Sequence, residues 1–214
     1  MHEAYGMTES ASMVTYNHFY QHVTGSVGTS VGTTEVRICD PNGRPVGRGV
    51  EGEICIRGRN IMTGYLNRPE ETRAAFRGDW FRSGDIGRVD ENGYLFIVDR
   101  LKDIIITGGE NVYPREIEEA LYTLPQVKEC SVLGLPDSEW GERVTAMIVP
   151  APGCTLRPKE LKDALKRVLS AYKIPKEFHI VDELPKSNTG KVLKRLIKQK
   201  IQTNFHHNEN AAGH

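Results

Sequence analysis

The chain has 214 residues with 28 basic and 28 acidic side chains, so its formal net charge is zero. That length allows one domain or two small ones, at roughly 100–200 residues each, and the neutral balance argues against a general nucleic-acid or membrane-surface binder, which usually carries a basic excess. No apolar run approaches the roughly 18 residues that span a bilayer, the first residues lack the basic start and apolar core of a signal peptide, and Cys39, Cys55, Cys130 and Cys154 form no C-x-x-C pair, which disfavours zinc and reads as reduced thiols in a cytoplasmic protein.

In chain order, residues Thr34 to Asp40 and Gly52 to Gly58 alternate apolar with polar positions, the period of a half-buried strand, with Pro41-Asn42-Gly43 turning the chain after the first. Pro69 to Phe76 reads as a helix with Pro in its first turn. Ile86–Val89 and Tyr94–Val98 flank Asp90-Glu91-Asn92-Gly93, and this Asn-Gly predicts a hairpin whose two turn positions take positive φ. After Arg100 the pattern changes. Pro114 to Leu124 sets Ile117, Leu121 and Leu124 on one helical face; Cys130–Gly134 and Arg143–Val149 read as strands. Pro158 to Ser170 is a second amphipathic helix with Leu161, Leu165 and Val168 inward. Phe178–Val181 is a short strand, and Val192 to Gln202 a last helix carrying Leu193, Leu196, Ile197 and Ile201. Residues 203–214 are polar and small and are expected to be disordered, with His206-His207 read as solvated tail rather than a metal site. The boundary falls near Asp99–Lys102, between an all-β block and an α+β block.

Two apparent nucleotide motifs fail on context. Gly47-Arg-Gly-Val-Glu-Gly52 matches G-x-G-x-x-G but leads into a strand rather than a helix, and Ser187-Asn-Thr-Gly-Lys191 lacks the first glycine of a phosphate loop, having Pro185 in its place. Four other segments carry chemistry. Tyr5-Gly-Met-Thr-Glu-Ser10 places an aromatic ring, a hydroxyl and a carboxylate in one turn; a hydroxyl can bond a phosphate oxygen and a carboxylate can hold Mg²⁺. Ser83-Gly-Asp-Ile-Gly87 sets Asp85 in a Gly-flanked turn, where a carboxylate can accept from two ribose hydroxyls, although an Asx-turn reads the same way. Asp99 to Pro114 holds Gly108-Gly109, which lets backbone pass close to a ligand. Pro185 to Lys191 is a Gly-hinged loop ahead of a basic helix, with six basic residues and no acidic one between Lys186 and Lys200. A lysine on such a loop can be a point charge delivered to a developing anion, and a solvated basic face is the plain alternative.

In this order and spacing the four segments resemble the adenylate-forming superfamily of acyl- and aryl-CoA synthetases, luciferases and peptide-synthetase adenylation domains, over essentially residues 1 to 202. Asp99-Arg-Leu-Lys-Asp followed by Ile-Ile-Ile-Thr-Gly-Gly-Glu-Asn-Val-Tyr-Pro looks like the acyl-CoA synthetase, or fatty-acid-CoA ligase, branch. The resemblance implies an α/β (α+β) chain: a barrel-like, β-rich end of the large AMP-binding domain over 1–100, the small C-terminal domain over 101–202, and a tail. It implies Mg²⁺ with ATP and CoA as co-substrates, and a carboxylic acid, of the fatty class in that branch, activated to acyl-AMP and passed to CoA. It assigns Tyr5 and Gly6 to the adenine site, Thr8 to a phosphate contact, Glu9 to Mg²⁺, Asp85 to the ribose hydroxyls and Arg100 to a second nucleotide contact. Lys102 would be the hinge between domains, Gly108, Gly109 and Glu110 would line the CoA approach, and Lys191 would be the catalytic lysine of adenylation, also touching the nucleotide.

The family's large domain begins well upstream of Tyr5 and includes a phosphate-holding loop. The chain is therefore expected to be the C-terminal portion of a synthetase, incomplete for adenylation alone, with the missing N-terminal part of the adenylation domain as its partner. The alternative is a non-catalytic binding or regulatory fragment, or half of a split synthetase. As a corollary, Val14-Thr15-Tyr16 is expected to find no partner within the chain, leaving the first third poorly packed. Neither nucleic acid nor membrane is an expected partner.

Overall fold

The computed structural model describes residues 3–201. Contacts divide the chain between Lys102 and Asp103 into two units, each with its own apolar core. No described helix is long and apolar enough to cross a membrane.

In the first unit, β1 (Ala4–Tyr5), β2 (Thr15–Tyr16) and β3 (Thr29–Ser30) make a small antiparallel sheet. β4 (Glu35–Cys39) and β5 (Gly52–Arg57) then pair, followed by α1 (Pro69–Ala75), β6 (Phe76–Arg77), β7 (Trp80–Val89) and β8 (Leu95–Arg100). These strands run β4-β5-β7-β6, with β8 also on β7. The sheet is open; the barrel-like closure expected from the family resemblance is not present among the described strands. Alternation places Ile38, Ile54, Ile56, Phe81 and Leu95 on one face as the core, each contributing about 1.5–3 kcal/mol relative to exposure.

Val14 belongs to that core at 0% exposure, and β2 is paired on both sides, so the segment expected to lack a partner has one. The reason is local: Val31 N–H bonds the Val14 carbonyl, and the Asn17 side chain bonds the carbonyls of Val23 and Ser26, which closes residues 14–31 on themselves.

The β7–β8 hairpin forms as expected but with different turn chemistry. Only Gly93 has positive φ; Asn92 does not. Asp90 takes over the turn, its Oδ1 accepting from the N–H groups of Asn92 and Tyr94, while its carbonyl accepts from Gly93 and from Arg48. A carboxylate at the first turn position makes this an Asx-type turn rather than the mirror-image type.

In the second unit, β9 (Ile105–Thr107) and β10 (Glu110–Val112) form a hairpin, followed by α2 (Pro114–Tyr122), β11 (Val127–Asp137), β12 (Gly141–Pro150), α3 (Pro158–Leu165), β13 (Glu177–Ile180) and α4 (194–201). β11 lies antiparallel along β12; β13 is parallel to β12, and β9 meets it through one pair, Gly141 with Thr107. The sheet is buried on both faces. Val132, Val144, Ala146 and Ile148 pack against Ile117 and Leu121 of α2 and Leu161 and Leu165 of α3. The alternate residues Leu133, Leu135, Met147 and Val149 pack against Ile197 and Ile201 of α4.

Two expectations are corrected here. The second helix stops at Leu165, and Val168 is 69% exposed rather than inward. The last turns tighten to i→i+3 bonds, Arg167 to Ala164 and Val168 to Leu165, which swings Val168 off the core face and lets Leu169 pack there. The basic run after Lys186 is not one open cationic face. Lys186 pairs with Glu129 at 2.7 Å, Lys194 with Glu118 at 2.9 Å and Lys198 with Glu142 at 3.9 Å. The tail over 203–214 and His206-His207 lie outside the described residues.

Candidate functional site

Asp85 sits opposite Arg100 in the β7–β8 register, where a bulge at Ile86/Gly87 and Gly84 at φ +71 reshape the strand. It is 9% exposed. The Tyr5 hydroxyl donates to its Oδ2 at 2.7 Å, and Arg100 Nε stands 3.5 Å from its Oδ1. Its own N–H donates to Ser83 Oγ at 3.0 Å. Burial pushes the Tyr5 phenol far above its ordinary value; the Asp85 charge adds to that and Ser83 opposes it. Tyr5 is thus a fixed donor at neutral pH, and Asp85 Oδ2 accepts from it. Each carboxylate oxygen has two lone-pair directions, so both retain capacity for a ligand hydroxyl.

The Tyr5-Gly-Met-Thr-Glu segment is a closed loop built on the same tyrosine. Met7 N–H donates to Ser10 Oγ, and Ser10 Oγ donates back to the Met7 carbonyl. Ala11 at φ +49 and Ser12 at φ +77 then turn the chain so that the Ser12 carbonyl covers Gly6, where an added Cβ would lie 1.7 Å from it. Glycine is needed there for space, not flexibility. Thr8 is exposed, and Glu9 accepts from the Tyr65 hydroxyl at 3.0 Å. Among the described residues no group of three or more His, Cys, Asp or Glu side chains could hold a metal alone. A single carboxylate at Glu9 fits Mg²⁺, which typically takes one or two carboxylates and shares the rest of its shell with phosphates and water.

In the second unit, Gly108 at φ +59 and Gly109 at φ +83 form the β9–β10 turn. Gly108 N–H donates to the Trp140 carbonyl at 2.9 Å, and a Cβ on Gly108 would meet the Trp140 ring at 2.8 Å. Trp140 is placed by Asp137, whose Oδ1 accepts from the N–H groups of Glu139 and Trp140; those bonds hold the Asp137 carboxyl below its usual range. Glu110 follows, exposed.

Lys191 closes a separate turn in which Ser187 N–H donates to the Lys191 carbonyl, Gly190 takes φ +82, and Lys191 N–H returns to Ser187 Oγ. Its side chain is exposed and makes no ion pair among the described residues, unlike Lys186, Lys194 and Lys198. Lys102, also exposed, is the last residue of the first unit.

Tyr5, Asp85 and Arg100 therefore meet in one cluster, with Gly6, Thr8 and Glu9 on the loop that leaves it. Gly108, Gly109, Glu110 and Lys191 belong to the other unit. Sequence reasoning missed Ser83, Tyr65 and Trp140. Of these, Ser83 was visible as the first residue of the Ser83-Gly-Asp-Ile-Gly87 motif without its role, and Trp140 left a trace in an Asp three residues earlier, in a turn-like Asp-Ser-Glu stretch; Tyr65 left none.

The AMP-binding enzyme family matches residues 1–66, and the AMP-binding enzyme C-terminal domain matches residues 116–191. Feruloyl-CoA synthase of Amycolatopsis sp is 44% identical over 201 residues, covering 93% of this chain and 41% of that protein. A long-chain-fatty-acid–CoA ligase of Yersinia pestis is 43% identical over 197 residues, covering 92% of this chain and 35% of the ligase. The structure of o-succinylbenzoate CoA synthetase from Bacillus subtilis, in complex with its acyl-adenylate intermediate, superimposes with a TM-score of 0.85 at 36% identity, over 92% of this chain and 40% of that one. The chain thus spans about two fifths of the length of the curated relatives it matches. Both halves of the match and the relatives agree: the chain belongs to the adenylate-forming, AMP-binding enzyme superfamily, in its acyl-CoA synthetase branch of acid–thiol ligases.

Proposed function

We propose that this chain supplies the adenosine-holding and thiol-transfer parts of an AMP-forming acid–thiol ligase. In the first half-reaction a carboxylate attacks the α-phosphate of ATP, forming acyl-adenylate and releasing pyrophosphate. In the second, the CoA thiolate attacks the acyl carbonyl and AMP leaves with the electron pair of the broken C–O bond. Asp85 carries the reading: a nearly buried carboxylate, fixed by Tyr5 and facing Arg100, is a ready acceptor for the two ribose hydroxyls. The Tyr5 ring would stack on adenine beside Gly6, Thr8 would donate to phosphate, and Glu9 would hold Mg²⁺, which neutralises phosphate charge when bound.

Lys191 is the group for adenylation. The attacking carboxylate and the triphosphate repel, and a cation not already committed to an acid can sit between them as charge builds; losing one such group typically costs roughly 10²–10³ in rate. The Gly108-Gly109 turn and Glu110 would pass the CoA arm, since backbone without side chains leaves room for a narrow thiol chain. Lys102, at the division of the units, would be the hinge that exchanges the two faces. The acid is aromatic or fatty in this reading, after the ferulate and long-chain chemistry named for the relatives. The free thiols suit a reducing, cytoplasmic setting.

The test is acid-dependent ATP–pyrophosphate exchange, run with ferulate and palmitate, in a polypeptide that restores the length of the relatives. Exchange with either acid that is lost in Asp85→Ala supports the reading. Exchange that survives Asp85→Ala unchanged, or none with a wider panel of carboxylic acids, rejects it.

A further inference from the structure

Glu142, two residues after Trp140, touches two segments at once. Its Oε2 accepts from the N–H of Ile106 in β9 at 2.9 Å, and its Oε1 lies 3.9 Å from Lys198 in α4. The seat for this carboxylate is cut into the neighbouring strand: at Gly134 an added Cβ would lie 2.6 Å from Glu142 Oε1 and 3.0 Å from Ile105 Cγ2. Gly134 has no positive φ, so space alone demands glycine there. The β9–β10 hairpin needs this support. It joins β12 through the single pair Gly141–Thr107 and through the Gly108 bond to Trp140, and Ile106 itself is 56% exposed. Without Glu142, the Ile106 N–H would lose this acceptor, and the hairpin would be held only by its turn end and by the burial of Ile105 and Val112 in the core. An N–H bonded to a carboxylate is a stronger tie than one between neutral groups.

We infer that Glu142 is a positioning residue for the Gly108-Gly109 turn: it clamps the hairpin through Ile106 and ties it to the helix that follows the Lys191 loop. This rests on the proposed thiol-transfer role of that turn. Glu142 touches no reacting atom. It fixes where the Gly108-Gly109 turn lies against Trp140.

Glu142→Ala and Glu142→Gln separate the possibilities, because the glutamine amide oxygen still accepts from Ile106 while losing the attraction to Lys198. In this chain, amide exchange at Ile106 followed by NMR should speed up by roughly tenfold or more in Glu142→Ala and stay near wild type in Glu142→Gln. In the full-length ligase, Glu142→Ala should raise KM for CoA about tenfold or more, leave pyrophosphate exchange unchanged, and be rescued by Glu142→Gln. Unchanged Ile106 exchange in Glu142→Ala overturns the clamp. Faster exchange with an unaltered KM for CoA, equal loss of both half-reactions, or no rescue by glutamine overturns the positioning role. A wild-type ligase that never uses CoA would sink the functional reading instead, and the Ile106 measurement would still decide the clamp.

Discussion

Tyr5 and Asp85, eighty residues apart, share a 2.7 Å hydrogen bond in which the phenol donates to the carboxylate. The bond joins a short strand of the small sheet to the central strand of the larger one, so it stabilises the unit and aims the acceptor at the same time. Tyr5→Phe keeps the ring and removes only this donor. We expect a loss of about 1–2 kcal/mol in the stability of the first unit, typical of a bond to a charged group that is partly exposed. ATP binding should weaken roughly tenfold, while binding of 2′,3′-dideoxy-ATP, which has no diol to present, should not change. Equal weakening for both nucleotides in calorimetric titration would mean that Tyr5 acts on the base or the fold and not through Asp85.

Lys191→Ala separates chemistry from stability. The side chain is exposed and unpaired among the described residues, so thermal unfolding should shift by no more than about 0.5 kcal/mol. Adenylation should fall by roughly 10²–10³, and thiol transfer from preformed acyl-adenylate should continue. Single-turnover assays of each half-reaction in the full-length ligase check this, and parallel loss of both would contradict the division of labour. Lys194→Ala is the control: its ammonium is spent on Glu118 at 2.9 Å, where Glu118 also accepts from Val132 N–H, so stability rather than adenylation should suffer.

The contrast between Lys191 and Lys194 marks what the sequence could convey. Period-two and period-3.6 patterns report which face of an element is buried, and they located Ile38, Ile54 and Ile56 in one sheet and Ile117 and Leu121 on one helix, because burial is local in the pattern. Ion pairs are not. Glu118, Glu129 and Glu142 lie 56 to 76 residues before the lysines they neutralise, so the basic run looked continuous when folding divides it. The same holds for Asp90, whose side chain overrode the Asn-Gly turn, and for Val168, displaced by a tightened helix end. Motif residues Tyr5 and Asp85 were legible as chemistry; Ser83 stood in the same motif but its bond to the Asp85 N–H was not, and Tyr65, which donates to Glu9, carries no signature of its own.

Gly108 and Gly109 have similar backbone conformations and different surroundings, so alanine should affect them unequally. Both positions have positive φ, which costs a non-glycine residue roughly 1–2 kcal/mol. At Gly109 nothing lies within 4 Å of a new Cβ, whereas at Gly108 it would press on the Trp140 ring at 2.8 Å. Gly109→Ala should therefore destabilise the second unit by the backbone cost alone. Gly108→Ala should cost more, and part of the excess should disappear when combined with Trp140→Ala, which opens the space. Denaturant unfolding of Gly108→Ala, Trp140→Ala and their combination gives the coupling; strict additivity would show that the ring yields freely.

The buried thiols set the response to alkali. Burial is the main cause that pushes the Cys130 thiol up from 9.0 to about 12, with the Glu118 charge adding and Tyr122 and Lys194 opposing; burial raises Cys55 in the same direction, reinforced by Cys39. The folded chain thus keeps these protons to a higher pH than the unfolded chain, in which a thiol ionises near 9. Between those values the folded state binds more protons, so the free energy of unfolding falls as pH rises. Stability should be at its full value below about pH 9 and drain between pH 9 and 12, and Cys130→Ala should flatten that slope even though it lowers stability at pH 8. Thiol labelling gives an independent check: at pH 8 Cys154, the exposed cysteine, should react with Ellman's reagent promptly and Cys39, Cys55 and Cys130 only on unfolding. Equal stability at pH 8 and pH 11, or prompt labelling of the buried three, would show that the sheet cores admit water and hydroxide freely.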